Sequence, residues 1–346
     1  MLKSTAPWAI IFVTGPLDET YRQADSAGGT GWTSLWKKWA GKNRKEDFKY
    51  MKFREDMRIV GEDYGVTIPV ISIDGRLGDS LLGEGRCLKS IQEQIDKKMK
   101  PVVFPIPGKK ISMGVYFKKE PVNANNIVAK IEGSHPELKK EVVVVGAHYD
   151  HVGRDNRGQV YPGADDNASG TAAVLELARA FRDLEEKPKR SLLFILFTAE
   201  EKGLLGARYY VDNPIFPLEK TLAMINLDMI GRNDVDQFSL LGRYQYPELY
   251  KIIEAANRGS VNMEINFSVE QFVRNSDHMP FMRKNIPVMF FNTGGHEQLH
   301  RPGDTARRVL PEKMEKISRL VFLSLYRAAN LPPGARLDNP GQEKSH

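Results

Sequence analysis

From about residue 124 onward the chain alternates between two hydrophobic patterns. Residues 126–131, 142–146, 192–197, 222–227 and 288–291 are short runs, apolar at nearly every position. Such runs are expected of strands buried on both faces. Between them, residues 171–184 place Val174, Leu177, Ala178 and Phe181 at i, i+3, i+4 and i+7. That spacing puts them on one face of a helix. Residues 314–329 read as a closing helix. Fully apolar strands alternating with helices predict an α/β architecture, with a sheet covered on both sides. The pattern before residue 124 is different. Residues 8–13 and 66–73 read as strands, 14–31 as turns and 32–60 as a helix dense in Lys and Arg. Residues 77–98 read as a helix interrupted near Gly83 and Gly85, and 111–117 as another strand. This is a small α+β unit. The expected organisation is therefore an accessory domain over 1–118, a larger domain over 119–331 and a loose polar tail over 332–346.

Composition narrows the classes. A chain of 346 residues suggests two domains, or one large domain with an insertion. With 41% hydrophobic and 27% charged residues, wholesale disorder is excluded. The longest apolar runs are about six residues, too short to span a bilayer as a helix. A lone cysteine, Cys87, excludes a disulfide framework and a Cys-rich zinc module. The charge is uneven: residues 1–140 carry a net +7 and residues 141–346 a net −1. All four tryptophans, Trp8, Trp32, Trp36 and Trp39, fall in the basic part. Nucleic-acid binding would rest on that charge alone, and the sequence is read as having no nucleic-acid partner.

Three of the apolar strands run into metal-ligand residue types. Residues 142–145 lead to His148, Asp150 and His151, residues 192–197 to Glu200 and Glu201, and residues 222–227 to Asp228. In an open α/β sheet, ligands bind beyond the carboxyl ends of the strands. These side chains are therefore expected to converge on one crevice. Two loop segments add Asp165 and Asp166 (in Gly-Ala-Asp-Asp-Asn-Ala-Ser-Gly) and His300 (in Leu-His-Arg-Pro-Gly-Asp304). Two imidazoles, His148 and His300, with three carboxylates, Asp166, Glu201 and Asp228, form a mixed N/O donor set that suits zinc. If one carboxylate bridges, five side chains serve two metals and leave room for a shared water. Glu200 then remains as a general base. Asp150 and Asp304 are placed to hold the second ring nitrogens of His148 and His300. His151 and His296 read as rim residues, and His135 and His346 as exposed.

These motifs, together with Asn226-Leu-Asp228-Met-Ile-Gly231 and Ser276-Asp277-His278-Met-Pro-Phe281, resemble in order and spacing the co-catalytic di-zinc aminopeptidase family. That family includes glutamate carboxypeptidase II, the transferrin receptor and glutaminyl cyclase. The resemblance covers about residues 124–330. It implies a three-layer zinc-exopeptidase fold with a mixed, mostly parallel central sheet. It further implies that His148 and Asp228 bind one zinc, that Glu201 and His300 bind the other, that Asp166 bridges them and that Glu200 is the base. The implied reaction removes N-terminal residues from peptides. Some members carry a Tyr just before the last zinc-binding His, where this chain has Leu299. His278 is then a candidate oxyanion donor, and equally a supporting or substrate-contacting residue. Ala9–Gly15 and Thr67–Ile73 resemble, less specifically, the protease-associated domain, whose first strand would lie before Met1. Relatives are commonly secreted or periplasmic, and no signal peptide is visible in this chain.

Alternatives stay open at this point. A related carboxypeptidase or dipeptidase would need a carboxylate-binding Arg, for which Arg274 and Arg301 are candidates. Glutaminyl cyclase works with one zinc, whereas the intact ligand set argues for two. A catalytically dead receptor predicts missing ligands, and none is missing. Trp32, Trp36 and Trp39 share a helix face among Lys37, Lys38, Lys42, Arg44 and Lys45. That face reads as packed against the rest of the protein, as docked on a membrane surface or partner, or as lining the substrate cleft.

Overall fold

The computed structural model describes residues 10–13, 70–73, 75–83, 85–108, 121–155, 158–267 and 275–337. The chain divides into two units, Met1–Asp56 with Val60–Pro121, and Met57–Ile59 with Val122–His346. In the first unit, β1 (Ile10–Val13) and β2 (Val70–Ile73) pair in parallel, with Ile10 opposite Val70 and Val13 opposite Ile73. The helix expected over 77–98 is two helices, α1 (Gly75–Leu82) and α2 (Leu88–Lys98). The break falls where Gly83 and Gly85 adopt φ of 82° and 79°, a region open to glycine at little steric cost. The carboxylate of Asp79 accepts from the Leu88 amide at 2.6 Å and so caps the start of α2. The helix expected over 32–60, with its Trp face, and the strand expected over 111–117 lie outside the described residues.

The second unit is built on a seven-stranded sheet. Its strands are β3 (Ile127–Ile131), β4 (Val142–His148), β7 (Ser191–Phe197), β8 (Thr221–Leu227), β9 (Gln237–Leu241), β10 (Glu264–Asn266) and β11 (Val288–Asn292). The short strands β5 (Gly153–Arg154) and β6 (Val160–Tyr161) pair separately. The order across the sheet is β10-β9-β11-β8-β4-β7-β3. The central strands β11, β8, β4 and β7 are parallel, while β3 runs antiparallel to β7 and β9 antiparallel to β11. Every residue of β4 and β7 is buried. That is the fate of strands covered on both faces.

Side chains alternate across a strand, so Phe194 and Phe197 point to opposite faces of β7. On one face, Phe194 lies 6.2 Å from the ring of Phe181 on α3 (Gly170–Asp183). Phe181 in turn stacks at 4.3 Å on Phe322 of the closing helix. On the other face, Phe197 meets Tyr210 of α4 (Leu205–Asp212) at 6.5 Å. It also meets Phe281 of the short helix that begins at His278, at 6.0 Å. The remaining helices are α5 (Pro247–Arg258), α6 (His278–Arg283) and α7 (Pro311–Ala329). α5 packs against α7. The result is a helix–sheet–helix sandwich.

The tail expected over 332–346 is anchored at its start. Leu337 is buried in the main core. The fully buried guanidinium of Arg190 donates to the carbonyls of Leu331 and Pro332, and pairs with Glu141 at 2.7 Å. A buried guanidinium has five donors to satisfy, and these acceptors hold the segment down. Residues 338–346 are outside the described set.

Phe181 has no exposed surface and bridges α3, β7 and α7. Phe181→Ala is expected to cost about 3–5 kcal/mol through lost burial and a residual cavity. Urea unfolding checks this: the midpoint should fall with little change in slope, and an unmoved midpoint would contradict the packing described.

Candidate metal centre

The carboxyl ends of β4, β7 and β8 do converge. His148 is the last residue of β4, Glu200 and Glu201 follow β7, and Asp228 follows β8. The loop at 163–169 brings Asp166 into the same crevice, and the loop after β11 brings His300. Nε2 of His148 lies 3.3 Å from Asp166 Oδ1 and 3.4 Å from Asp228 Oδ1. Nε2 of His300 lies 3.0 Å from Asp166 Oδ2 and 3.2 Å from Glu201 Oε1. Asp166 therefore presents one oxygen to each imidazole. The donor atoms form two groups, His148 with Glu200 and Asp228, and His151 with Asp166, Glu201 and His300.

A sequence profile of peptidase family M28 matches residues 126–325. The chain belongs to peptidase family M28. It is 29% identical over 201 residues to Aminopeptidase YwaD of Bacillus subtilis, covering 56% of this chain and 42% of that protein. The solved structure of BSAP, described as a zinc aminopeptidase from Bacillus subtilis, superposes with a TM-score of 0.51 and 26% identity, over 59% of this chain and 49% of that one. An aminopeptidase from Aneurinibacillus sp. strain AM-1 shares the fold, with a TM-score of 0.55 and 24% identity, over 79% of this chain and 60% of that one. The chain spans less than two thirds of the length of each of these proteins.

The M28 crevice is held by a dense polar mesh. Asn167 accepts from the amides of Gly170 and Met229 and donates to the Leu227 carbonyl, at 2.9–3.2 Å. Asp165 Oδ1 accepts from the Gly231 amide at 2.7 Å, and Ser169 Oγ from the Ile230 amide at 3.1 Å. Thr171 donates to the His148 carbonyl at 2.8 Å. These bonds tie the 163–170 loop to the ends of β4 and β8. Gly170 is required there, because a Cβ would strike the Asn167 side chain and the Leu227 carbonyl. Ala199, Met229 and His300 adopt left-handed φ of 53°, 60° and 53°. Non-glycine residues take that region at a cost, and they concentrate where a side chain must be aimed.

The electrostatics call for cations. Four carboxylates, Asp166, Glu200, Glu201 and Asp228, share the crevice. Burial, reinforced by the negative charges of Asp228, Asp277 and Glu201, pushes the Glu200 carboxyl up to about 10. Burial opposes charge on His148, yet Asp228 and Asp166 hold its imidazole well above the usual histidine range. Close approach of the Asp166 and Glu201 carboxylates raises His300 to about 10. Glu201 Oε1, Asp228 Oδ1 and both ring nitrogens of His151 are buried without a hydrogen-bond partner. Orphaned N and O lone pairs aimed at one another fit divalent metal binding, and the mixed set suits zinc.

Asp150 does hold the second ring nitrogen of His148, through its backbone carbonyl at 3.0 Å and with a carboxylate oxygen 3.7 Å away. The carboxylate accepts from the amides of Glu200 and Glu201 at 3.0 and 3.3 Å, fixing the turn that aims both glutamates. Several other expectations need correction. Asp304 was expected to hold His300. It accepts instead from the amides of Asp165 and Asp166 at 3.0–3.1 Å, because that turn leaves two buried donors to satisfy. His151 is not a rim residue: its Nδ1 lies 2.9 Å from Glu201 Oε1, and its side chain is 9% exposed. His296 is also drawn inward, with Nε2 3.3 Å from Asp165. His278 is fully buried and stacked at 4.5 Å on Phe290, so it supports the site and presents no surface to a substrate.

Three residues have no role of their own in the sequence reading. Ser276 donates to Asp228 Oδ2 at 2.7 Å, and Asn226 donates to Ser276 at 2.8 Å, a relay that orients Asp228. Asp277 is fully buried with both carboxylate oxygens unpartnered, and burial raises its carboxyl well above the usual range. His151 carried a usable signal, since it follows His148 by three residues just past a strand end.

Asp304→Ala would leave the Asp165 and Asp166 amides without their acceptor. The expected outcome is a loss of about 2–4 kcal/mol in stability. Metal affinity should also weaken by about 10–100-fold, as is usual when a residue supporting a ligand is lost. Urea unfolding and a chelator-competition titration measure the two effects. Unchanged values in both would refute this role.

Proposed function

We propose that this M28 chain is a zinc-dependent aminopeptidase that removes N-terminal residues from peptides, with two zinc ions per chain. The observation that carries this reading is Asp166, whose two oxygens face two separate imidazoles at 3.3 and 3.0 Å, with Glu200 beside them. His148 and Asp228 would hold one ion, Glu201 and His300 the other, and Asp166 would bridge. The proximity of His151 to Glu201 makes it a further nitrogen donor on the second side. The similarity to a zinc aminopeptidase at 26% identity supports zinc and the reaction class.

When bound, the ions polarise the scissile carbonyl and make water in the crevice acidic enough to attack near neutral pH. The chain's own residues do the rest. Glu200 stands where it can take a proton from the attacking water and return it to the leaving amine. Without cations, burial and neighbouring anions raise its carboxyl too far for a base at neutral pH; positive charge held beside it would draw it back toward the range in which a general base works. Asp150 fixes the turn carrying Glu200 and Glu201, so the base and its neighbouring ligand point in defined and different directions. The Asp228 carboxylate, beside Glu200, offers negative charge to a substrate's free α-amine. Leu299 supplies no hydroxyl for the oxyanion.

Two measurements test the proposal. Peptides with a free N-terminus should be cleaved, their N-acetylated counterparts should not, and a chelator should abolish turnover. Equal cleavage of blocked and free peptides would overturn the aminopeptidase reading. Glu200→Gln should keep two zinc ions per chain by elemental analysis while kcat drops by about 10²–10⁴-fold, the usual range for loss of a general base. Retained turnover would refute the base assignment, and a single tightly bound ion would refute the two-ion centre.

A further inference from the structure

Beside the metal centre lies an open cavity of about 650 Å³, within the usual size range of ligand clefts. Its walls include Arg232, Asn233, His296, Glu297, Leu299 and Arg308. Leu299 immediately precedes His300, so the cavity adjoins the second ligand group. We propose that this cavity is a subsite for a carboxylate of the substrate, recognised by Arg232 and Arg308. The proposal rests on the aminopeptidase reading and narrows its substrate class to peptides with a carboxylate near the scissile bond.

The charge of the walls supports this. Two guanidiniums face one carboxylate, Glu297, which is exposed. The side chain of Arg232 is only 15% exposed, and its Nη1 is buried without a hydrogen-bond partner. The carboxylate of Asp304 stands 3.9 Å from Arg232 Nη1, beyond hydrogen-bond reach, and its oxygens already accept from the amides of Asp165 and Asp166. A mostly buried guanidinium that lines the cavity, with only a long ion pair to Asp304, matches a ligand carboxylate, which accepts in the plane of that fork. Arg308 is exposed on a separate chain segment that also lines the cavity, and it makes no ion pair among the described residues.

The walls are also held in place before any ligand arrives. Lys313 is fully buried and donates to the carbonyls of Arg232 and Asp234, the latter at 2.6 Å. Asn233 Nδ2 donates to the Thr293 carbonyl at 2.6 Å, joining the segment after β8 to the segment after β11. His296 Nδ1 accepts from the Gln298 amide at 3.2 Å, and its Nε2 faces Asp165 at 3.3 Å without a hydrogen bond. Binding an anion here therefore needs little ordering of the main chain.

The carboxylate has two sources: an acidic side chain next to the scissile bond, or the C-terminus of a short peptide. Matched peptides separate them. The full chain with zinc is assayed on Leu-Ala-Ala-amide, Leu-Glu-Ala-amide, Glu-Ala-Ala-amide, and the dipeptide Leu-Ala against Leu-Ala-amide. At least one carboxylate-bearing peptide should exceed its neutral partner in kcat/KM by about tenfold, as expected for a charge-assisted hydrogen bond. In Arg308→Gln and Arg232→Gln that ratio should fall toward one, mainly through KM, and Arg308→Lys should restore part of it. Arg308 is exposed, so its variants test the proposal even if Arg232→Gln misfolds. Cleavage of the neutral peptides with the same ratios in wild type and Arg308→Gln would overturn the subsite alone. No cleavage of any free-amine peptide would overturn the aminopeptidase reading, and the subsite with it.

Discussion

The crowding of four carboxylates at the ends of buried parallel strands governs this structure. Like charges in a low-dielectric crevice repel strongly, and proteins tolerate them only with compensating positive charge. Here the imidazoles of His148 and His300 supply part of it, and their affinity for protons is raised accordingly. The unpartnered oxygens of Glu201 and Asp228 show that the compensation is incomplete. A divalent cation would complete it, so the same arrangement that is costly to the empty protein prepares it for chemistry.

Such a centre must be held rigidly, and the polar mesh around residues 163–170 does that. Asp304, Asn167, Asp165 and Ser169 each satisfy a main-chain donor that the irregular loop would otherwise bury unpaired. Asp150 does the same for the turn after β7. In each case the side chain acts one step away from the candidate ligands, by fixing the backbone that carries them. The left-handed conformations at Ala199, Met229 and His300 are sustained by this surrounding order. The same logic extends to the cavity beside Leu299, where Lys313 and Asn233 brace the wall that carries Arg232.

The strands β4, β7, β8 and β11 were legible because burial on both faces writes a continuous apolar run, and α3 and α7 because an apolar stripe recurs at helical spacing. The short elements were not. β10 has three residues, and α6 has six with a proline inside, too few to establish a period. α5 carried a readable stripe in Leu249, Ile253 and Ala256 that went unused. The helix expected over 77–98 divides at Gly83 and Gly85, the two glycines that interrupted its pattern.

For the candidate site, residue type and position after a strand were enough to collect His148, Asp166, Glu200, Glu201, Asp228 and His300, since the ends of parallel strands in one sheet must lie near each other. Partnership was beyond their reach. Whether Asp304 holds a histidine or two amides, whether His151 lies on the rim or 2.9 Å from Glu201, and whether His278 meets substrate or Phe290 depend on how loops from distant parts of the chain pack. A side chain's partner is set by the unsatisfied donors and the volume left around it, and those exist only once the tertiary structure has formed.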